Sequence, residues 1–150
     1  MIIPSTAARY EMASHQAFTM PQPLANAVPE FPADYRPASS APVTVCAAVA
    51  VGGDGTVSSV GLVHAAGCVD PAVAPAALEA SVRSAVSAWR FTPAMFCTYP
   101  DAATRDRDWT GHGCAGAVQE ARAVPVSLAW AFTFELRDGQ PRVSGRRAGR

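Results

Sequence analysis

The chain has 150 residues, 49% of them hydrophobic, and carries 12 basic against 12 acidic residues, for a formal net charge of +0. That length corresponds to about one domain with a modest core, in which roughly 70% of the unfolded surface would be buried. The charge balance argues against nucleic acid or an anionic membrane surface as the main partner. Every basic residue is arginine and alanine is abundant, a bias that reflects genome composition rather than a need for bidentate anion contacts at each site.

No run approaches the roughly 18–20 apolar residues of a membrane span, so no membrane span is expected, and the amino terminus lacks a basic start followed by an apolar core, so no export signal is expected. Residues 1–20 are weakly patterned, and Pro21, Pro23, Pro29, Pro32, Pro37 and Pro42 follow closely. That proline density prevents a long helix or central strand, so residues 1–41 are expected to be a disordered or extended leader, with the globular part at 42–137.

Val43, Val45, Ala47, Val49 and Val51 alternate along the first clear strand, which is half-buried by its period of two. Gly52-Gly53-Asp54-Gly55 then supplies residues that tolerate positive φ, and residues 56–64 return with Val57, Val60 and Val63, which predicts a hairpin. Asp70-Pro71 and Ala74-Pro75 are two alternative helix starts, because proline fits a first turn and aspartate caps free amides. Leu78, Val82, Ala85, Val86 and Trp89 recur at three- and four-residue steps and predict an amphipathic helix to about residue 88, stopped by Pro93. The last strand has the cleanest alternation: Val124, Val126, Leu128, Trp130, Phe132, Phe134 and Leu136 share one face, opposite Pro125, Ser127, Ala129, Ala131, Thr133 and Glu135. Asp138-Gly139 is a turn, and residues 138–150 are expected to be a basic flexible tail.

Residues 95–123 hold Asp101, Arg105, Asp106, Arg107, Asp108 and several glycines around His112, and are expected to be an inserted loop. The four cysteines, Cys46, Cys68, Cys97 and Cys114, form an even set without a CxxC pair, which favours disulfides over a zinc site. Cys97 and Cys114 bracket the middle of the insertion and could staple it, leaving Cys46 with Cys68; three pairings are formally possible. Disulfides imply an oxidising compartment, whereas the missing signal does not. An upstream start or reduced cytoplasmic thiols would reconcile the two.

A hairpin closed by Gly-Asp-Gly, a helix ending on Trp89-Arg90-Phe91-Thr92-Pro93-Ala94, and an alternating strand resemble the carboxy-terminal domain of TonB-type energy transducers. Phe31-Pro32 resembles the family's aromatic-proline lead-in, residues 49–60 its Val-x-x-x-Gly-x-Val hairpin, and residues 77–94 its helix and signature. The likeness spans about residues 29–136 and is most specific at Trp89, Arg90, Phe91, Pro93 and Ala94. It implies an α+β fold with one three-stranded antiparallel sheet, formed by hairpin, helix and strand, and one packed helix. It further implies a periplasmic location and binding of outer-membrane TonB-dependent receptors, or another envelope protein, in energy-coupled uptake. The partner would pair as an added β-strand with the last strand, at Val124, Val126, Ser127, Leu128, Ala129, Trp130, Ala131 and Phe132. An open strand edge also suits a second copy, so a homodimer competes.

Trp89 and Phe91 read as core anchors, and Arg90 as a carboxylate partner or helix cap. His112 with Cys97, Cys114, and His64 or Cys68 offers irregularly spaced metal donors. Cys114 with His112 lacks an orienting group and an oxyanion pocket. No phosphate loop, nucleotide fingerprint or paired-carboxylate pattern is present. The expectation is a binding module without cofactor or enzymatic activity. The alternative is a disulfide-stapled or metal-binding structural domain that has lost receptor coupling.

Overall fold

A computed structural model of the chain describes residues 12–37 and 41–148. Among these the order is β1 (Gln16–Thr19), β2 (Gln22–Pro23), β3 (Val43–Val51), β4 (Val57–Leu62), a 3₁₀ turn (Pro71–Val73), α1 (Ala76–Ser87), β5 (Phe91–Thr92), β6 (Ala94–Thr98), α2 (Ala102–Asp108), β7 (Glu120–Val124), β8 (Val126–Arg137) and β9 (Gln140–Arg147). The α+β character matches the sequence reading. The single three-stranded sheet with one helix does not: three sheets form among the described residues, ordered β4-β3-β8-β9, β1-β6-β7 and β2-β5, with two α-helices. The chain divides into two compact units.

One unit comprises Ala25–Ala50, Val57–Trp89 and Ser127–Arg150, and holds nearly all of the four-stranded sheet. In β3, Val45, Ala47, Val49 and Val51 are buried, as the alternation requires; Cys46 on the other face is buried too, where its sulfur is joined to Cys68. Helix α1 packs against β4 and buries Leu78, Val82 and Val86, one residue per turn along a single stripe. Both proline-containing starts are used. Asp70 caps the 3₁₀ turn by accepting from the Ala72 N–H at 2.9 Å, and Pro75 takes the N-cap position of α1. The helix ends at Ser87, and the Trp89 N–H donates to the Val86 carbonyl at 3.0 Å. Pro93 is therefore not what stops it.

Residues 25–37 are not a loose leader. Pro29 is fully buried, the Trp89 indole Nε1–H donates to the Ala27 carbonyl at 2.7 Å, and the Ser81 hydroxyl donates to the Glu30 carbonyl. Phe31 lies 6.3 Å from the Phe134 ring. Proline excludes helix here, but an extended strap survives because side chains of and just beyond α1 satisfy its carbonyls. The part of the expected leader in residues 1–11 and 38–40 lies outside the described residues.

The other unit comprises the described part of Met1–Leu24 together with Val51–Thr56 and Arg90–Val126. Strand β6 is the centre of an antiparallel sheet, paired with β1 from Gln16↔Thr98 to Thr19↔Met95 and with β7 from Ala94↔Val124 to Thr98↔Glu120. The expected inserted loop 95–123 thus contains two strands and a helix. Its small core is Ala17, Cys97 and Tyr99, packed with Met95, Trp109, Cys114 and Val118, and a second cluster joins Ala94, Phe96 and Val124. Asp101 caps α2 by accepting from the Thr104 N–H at 2.8 Å, and that bond holds its carboxyl below the ordinary carboxylate range.

Pro125 explains why the expected last strand 124–136 is two strands. It stands between β7 and β8, which belong to different sheets, and its missing N–H interrupts any continuous ladder.

Candidate protein-binding edge

The signature residues sit where the chain passes from one unit to the other. Trp89 is buried, its ring 4.9 Å from Trp130 and 5.7 Å from Phe132 in edge-on geometry. Arg90 is exposed and bridges Thr56. Phe91 is buried in β5, and its N–H donates to the Gly55 carbonyl at 2.9 Å. Ala94 is buried at the start of β6, directly after Pro93. Gly55 has φ +84, and a Cβ there would collide with the Phe91 carbonyl, so the hairpin glycine and the signature phenylalanine are one device. Asp54 accepts from the Thr56 N–H at 3.0 Å and from its hydroxyl at 2.7 Å, which lowers the Asp54 carboxyl below its ordinary range.

The four cysteines form Cys46–Cys68, with Cα atoms 5.7 Å apart, and Cys97–Cys114, with Cα atoms 5.4 Å apart. Each unit thereby holds one cross-link. Sulfurs tied in disulfides are not thiolate ligands, and among the described residues no group of three or more His, Cys, Asp or Glu side chains is arranged to hold a metal ion. The Cys97–Cys114 segment is further fastened by Tyr99 Oη–H to the Ala115 carbonyl at 2.7 Å and by the Asp108 carboxylate, which accepts from the Ala117 N–H at 2.8 Å and from Arg107 Nε at 2.7 Å. These two partners hold the Asp108 pKa down to about 2, while burial raises that of the Tyr99 phenol.

The residues expected to form a partner-binding edge are placed differently from one another. Val124 ends β7 and pairs with Ala94 in the other unit. Val126, Ser127, Leu128, Ala129, Trp130, Ala131 and Phe132 lie in β8, with Leu128, Ala131 and Phe132 buried and Ser127 and Ala129 exposed. The premise of an open outer edge there is corrected by the expected tail. β9 pairs antiparallel with β8 from Trp130↔Arg147 to Arg137↔Gln140, and the Ala148 N–H donates to the Ala129 carbonyl at 2.8 Å. Strand β8 is an inner strand over most of its length.

Among the described residues the sheet instead ends on β9. Asp138 and Gly139 have φ of 51 and 76, the two positive values that define a type I′ turn and fix a two-residue hairpin. In that register, and with Ala148 bonded inward, Arg142, Ser144 and Arg146 direct their backbone groups to β8, whereas Val143, Gly145 and Arg147 direct theirs outward. Pro141 also faces outward but has no donor. The side chains alternate as well. Arg142, Ser144 and Arg146 share the face of Glu135, Thr133 and Ala131, and Val143, Gly145 and Arg147 lie opposite Phe134, Phe132 and Trp130. A Cβ on Gly145 would stand 3.1 Å from the Phe132 ring and 3.6 Å from Val28 Cγ1, so the strap and the aromatic row close over the strand on that face. Sequence reasoning missed this strand because Val143 is its one large apolar side chain. The Asp-Gly turn was the signal that a strand should return after it.

Among the described residues no helix is long and apolar enough to cross a membrane. Two disulfides suit an oxidising compartment. Comparison with protein-family models, with curated proteins and with solved structures finds no match.

Proposed function

We propose that the chain is a protein-binding module of the bacterial periplasm, without enzymatic activity, that holds an extended segment of an outer-membrane transporter by β-strand addition in energy-coupled uptake. The observation that carries this reading is the outer edge of β9, where the backbone groups of Val143, Gly145 and Arg147 face away from β8. Such an edge gives main-chain affinity to any added strand, and neighbouring side chains give selectivity. The TonB-like signature 89–94 and the Gly-Asp-Gly hairpin support the choice of partner, and the two disulfides support the compartment. The binding strand moves from β8, where the sequence reading placed it, to β9.

The test is recovery of outer-membrane proteins from detergent extract by the full chain under oxidising conditions, with Val143→Pro as control. Proline at an outward position removes one edge donor and no bond to β8, as at Pro141. Recovery of transporters by the parent chain and not by the folded variant supports the reading. Equal recovery by both, or none by either, refutes it. A second reading, a disulfide-stapled structural domain without receptor coupling, is favoured by Pro141 and the arginines of β9, which are also the means by which edges are blunted against association. A stable dimer or a monomer that recovers nothing is the outcome it expects.

A further inference from the structure

Strand β9 carries Arg142, Arg146 and Arg147, all exposed. The ion pairs of the described residues use Arg83, Arg105, Arg107 and Arg137, so among those residues none of the three on β9 forms an ion pair; Glu135, directly opposite Arg142, is engaged by Arg137. In a chain of balanced charge, a strand of eight residues at a sheet edge thus has three positive charges, and Glu135 is the one carboxylate directly across from them on β8. From this juxtaposition of outward amides and unpaired guanidinium groups we infer that the added strand is acidic, with carboxylates at positions i and i+4 on one face and small apolar residues on the other. The inference rests on the strand-addition reading above and specifies its partner.

The pattern follows from the register. A strand laid along Val143–Gly145–Arg147 sits about 4.8 Å from β9, with its side chains alternating in step. One of its faces continues the row Arg142, Ser144, Arg146, whose arginines are four residues and so about 13 Å apart. Residues opposite them are therefore four apart, with a short polar residue between them opposite Ser144. The other face continues the row of Val143 and Gly145, where Phe132 and Val28 already stand close to Gly145, which leaves room for alanine or valine rather than an aromatic ring. A second copy of this chain is a poor occupant, because pairing β9 with β9 sets two strands of three arginines each side by side, with Arg142 directly against Arg146 when the pair centres on Ser144, and like charges across a strand pair are destabilising.

The test uses the full chain and three seven-residue peptides of one alternating pattern, Thr-Xaa-Val-Thr-Ala-Xaa-Thr, with Xaa as Asp, Asn or Lys. Binding is read by NMR from the amides of Val143, Gly145 and Arg147 at low and high salt. The aspartate peptide is expected to bind about three- to tenfold tighter than the asparagine peptide, as two exposed ion pairs allow. The lysine peptide is expected to bind weakest, and the order should collapse at high salt and in the Arg142→Gln, Arg146→Gln double variant. Equal binding of all three overturns the acidic preference and leaves strand addition standing. No protection of those amides by any peptide overturns both. A peptide-independent dimer protected at the same amides overturns the inference in favour of a second copy.

Discussion

Removing the Cys97–Cys114 cross-link by Cys97→Ala with Cys114→Ala tests whether the insertion is held by covalent closure or by its own packing. The bond spans a sequence separation of 17, for which loop-closure entropy predicts about 3 kcal/mol of stabilisation. For a chain of this size that corresponds to a fall in Tm of roughly 6–12 °C. The rest of the segment does not come free with the sulfurs. Tyr99 still reaches the Ala115 carbonyl at 2.7 Å, Thr19 Oγ1 the Gly113 carbonyl at 3.0 Å, and Trp109 Nε1 the Thr19 hydroxyl at 3.2 Å, at about 1 kcal/mol each. The expectation is therefore a folded protein with locally raised hydrogen exchange. Peptides covering 99–118 should lose protection, and those covering β8 and β9, in the other unit, should keep theirs. Thermal unfolding and exchange mass spectrometry read the two effects. A Tm within about 2 °C of the parent, with unchanged exchange in 99–118, would refute the reasoning and assign the hold to Tyr99 and Trp109 alone.

Gly116 and Gly67 have nearly the same backbone, φ +79 and +82, but a Cβ on Gly116 runs into the Asp108 side chain whereas one on Gly67 meets open space. Gly67→Ala should cost about 1 kcal/mol for the left-handed conformation and Gly116→Ala distinctly more; equal losses in urea unfolding would remove the packing argument. The buried indole N–H of Trp130 has no hydrogen-bond partner among the described residues, while that of Trp89 is bonded to Ala27. Trp89→Phe should therefore lose about 1–3 kcal/mol more than Trp130→Phe, and the reverse order in equilibrium unfolding would contradict this. The Asp108 carboxyl is lowered from 3.8 to about 2 in the folded chain, so its contribution is fully present above 3.8 and lost as pH falls through about 2. Asp108→Asn should be less stable than the parent at pH 6, with the gap closing between pH 4 and 2; a gap independent of pH would count against the Arg107 and Ala117 contacts.

Local chemistry was enough to place β3, the glycine turn, α1 and Trp89, because these rest on short-range causes: alternation, positive φ and a stripe of Leu78, Val82 and Val86. The disulfide pairing was also within reach, although spacing alone left three connectivities open. The strap at 25–37, the strands on either side of α2, and β9 were not legible. Each is polar, proline-bearing or short; the first two are stabilised by partners remote in sequence, such as Trp89 for Ala27 and β1 for β6, whereas β9 pairs with its hairpin neighbour β8 but has too few apolar residues to read as a strand. Propensity cannot anticipate hydrogen bonds supplied by another part of the chain.

The same division holds for the candidate site. The sequence by itself determined that residues 126–136 form a strand with one apolar face, and its alternation made a strand edge the surface to consider. Only the tertiary structure decided which edge is available. Ladder bonds are satisfied pairwise, so once β9 folds back through the Asp138-Gly139 turn the outward groups of β8 from Ala129 onward are consumed, and among the described residues the outward edge passes to a strand of arginines.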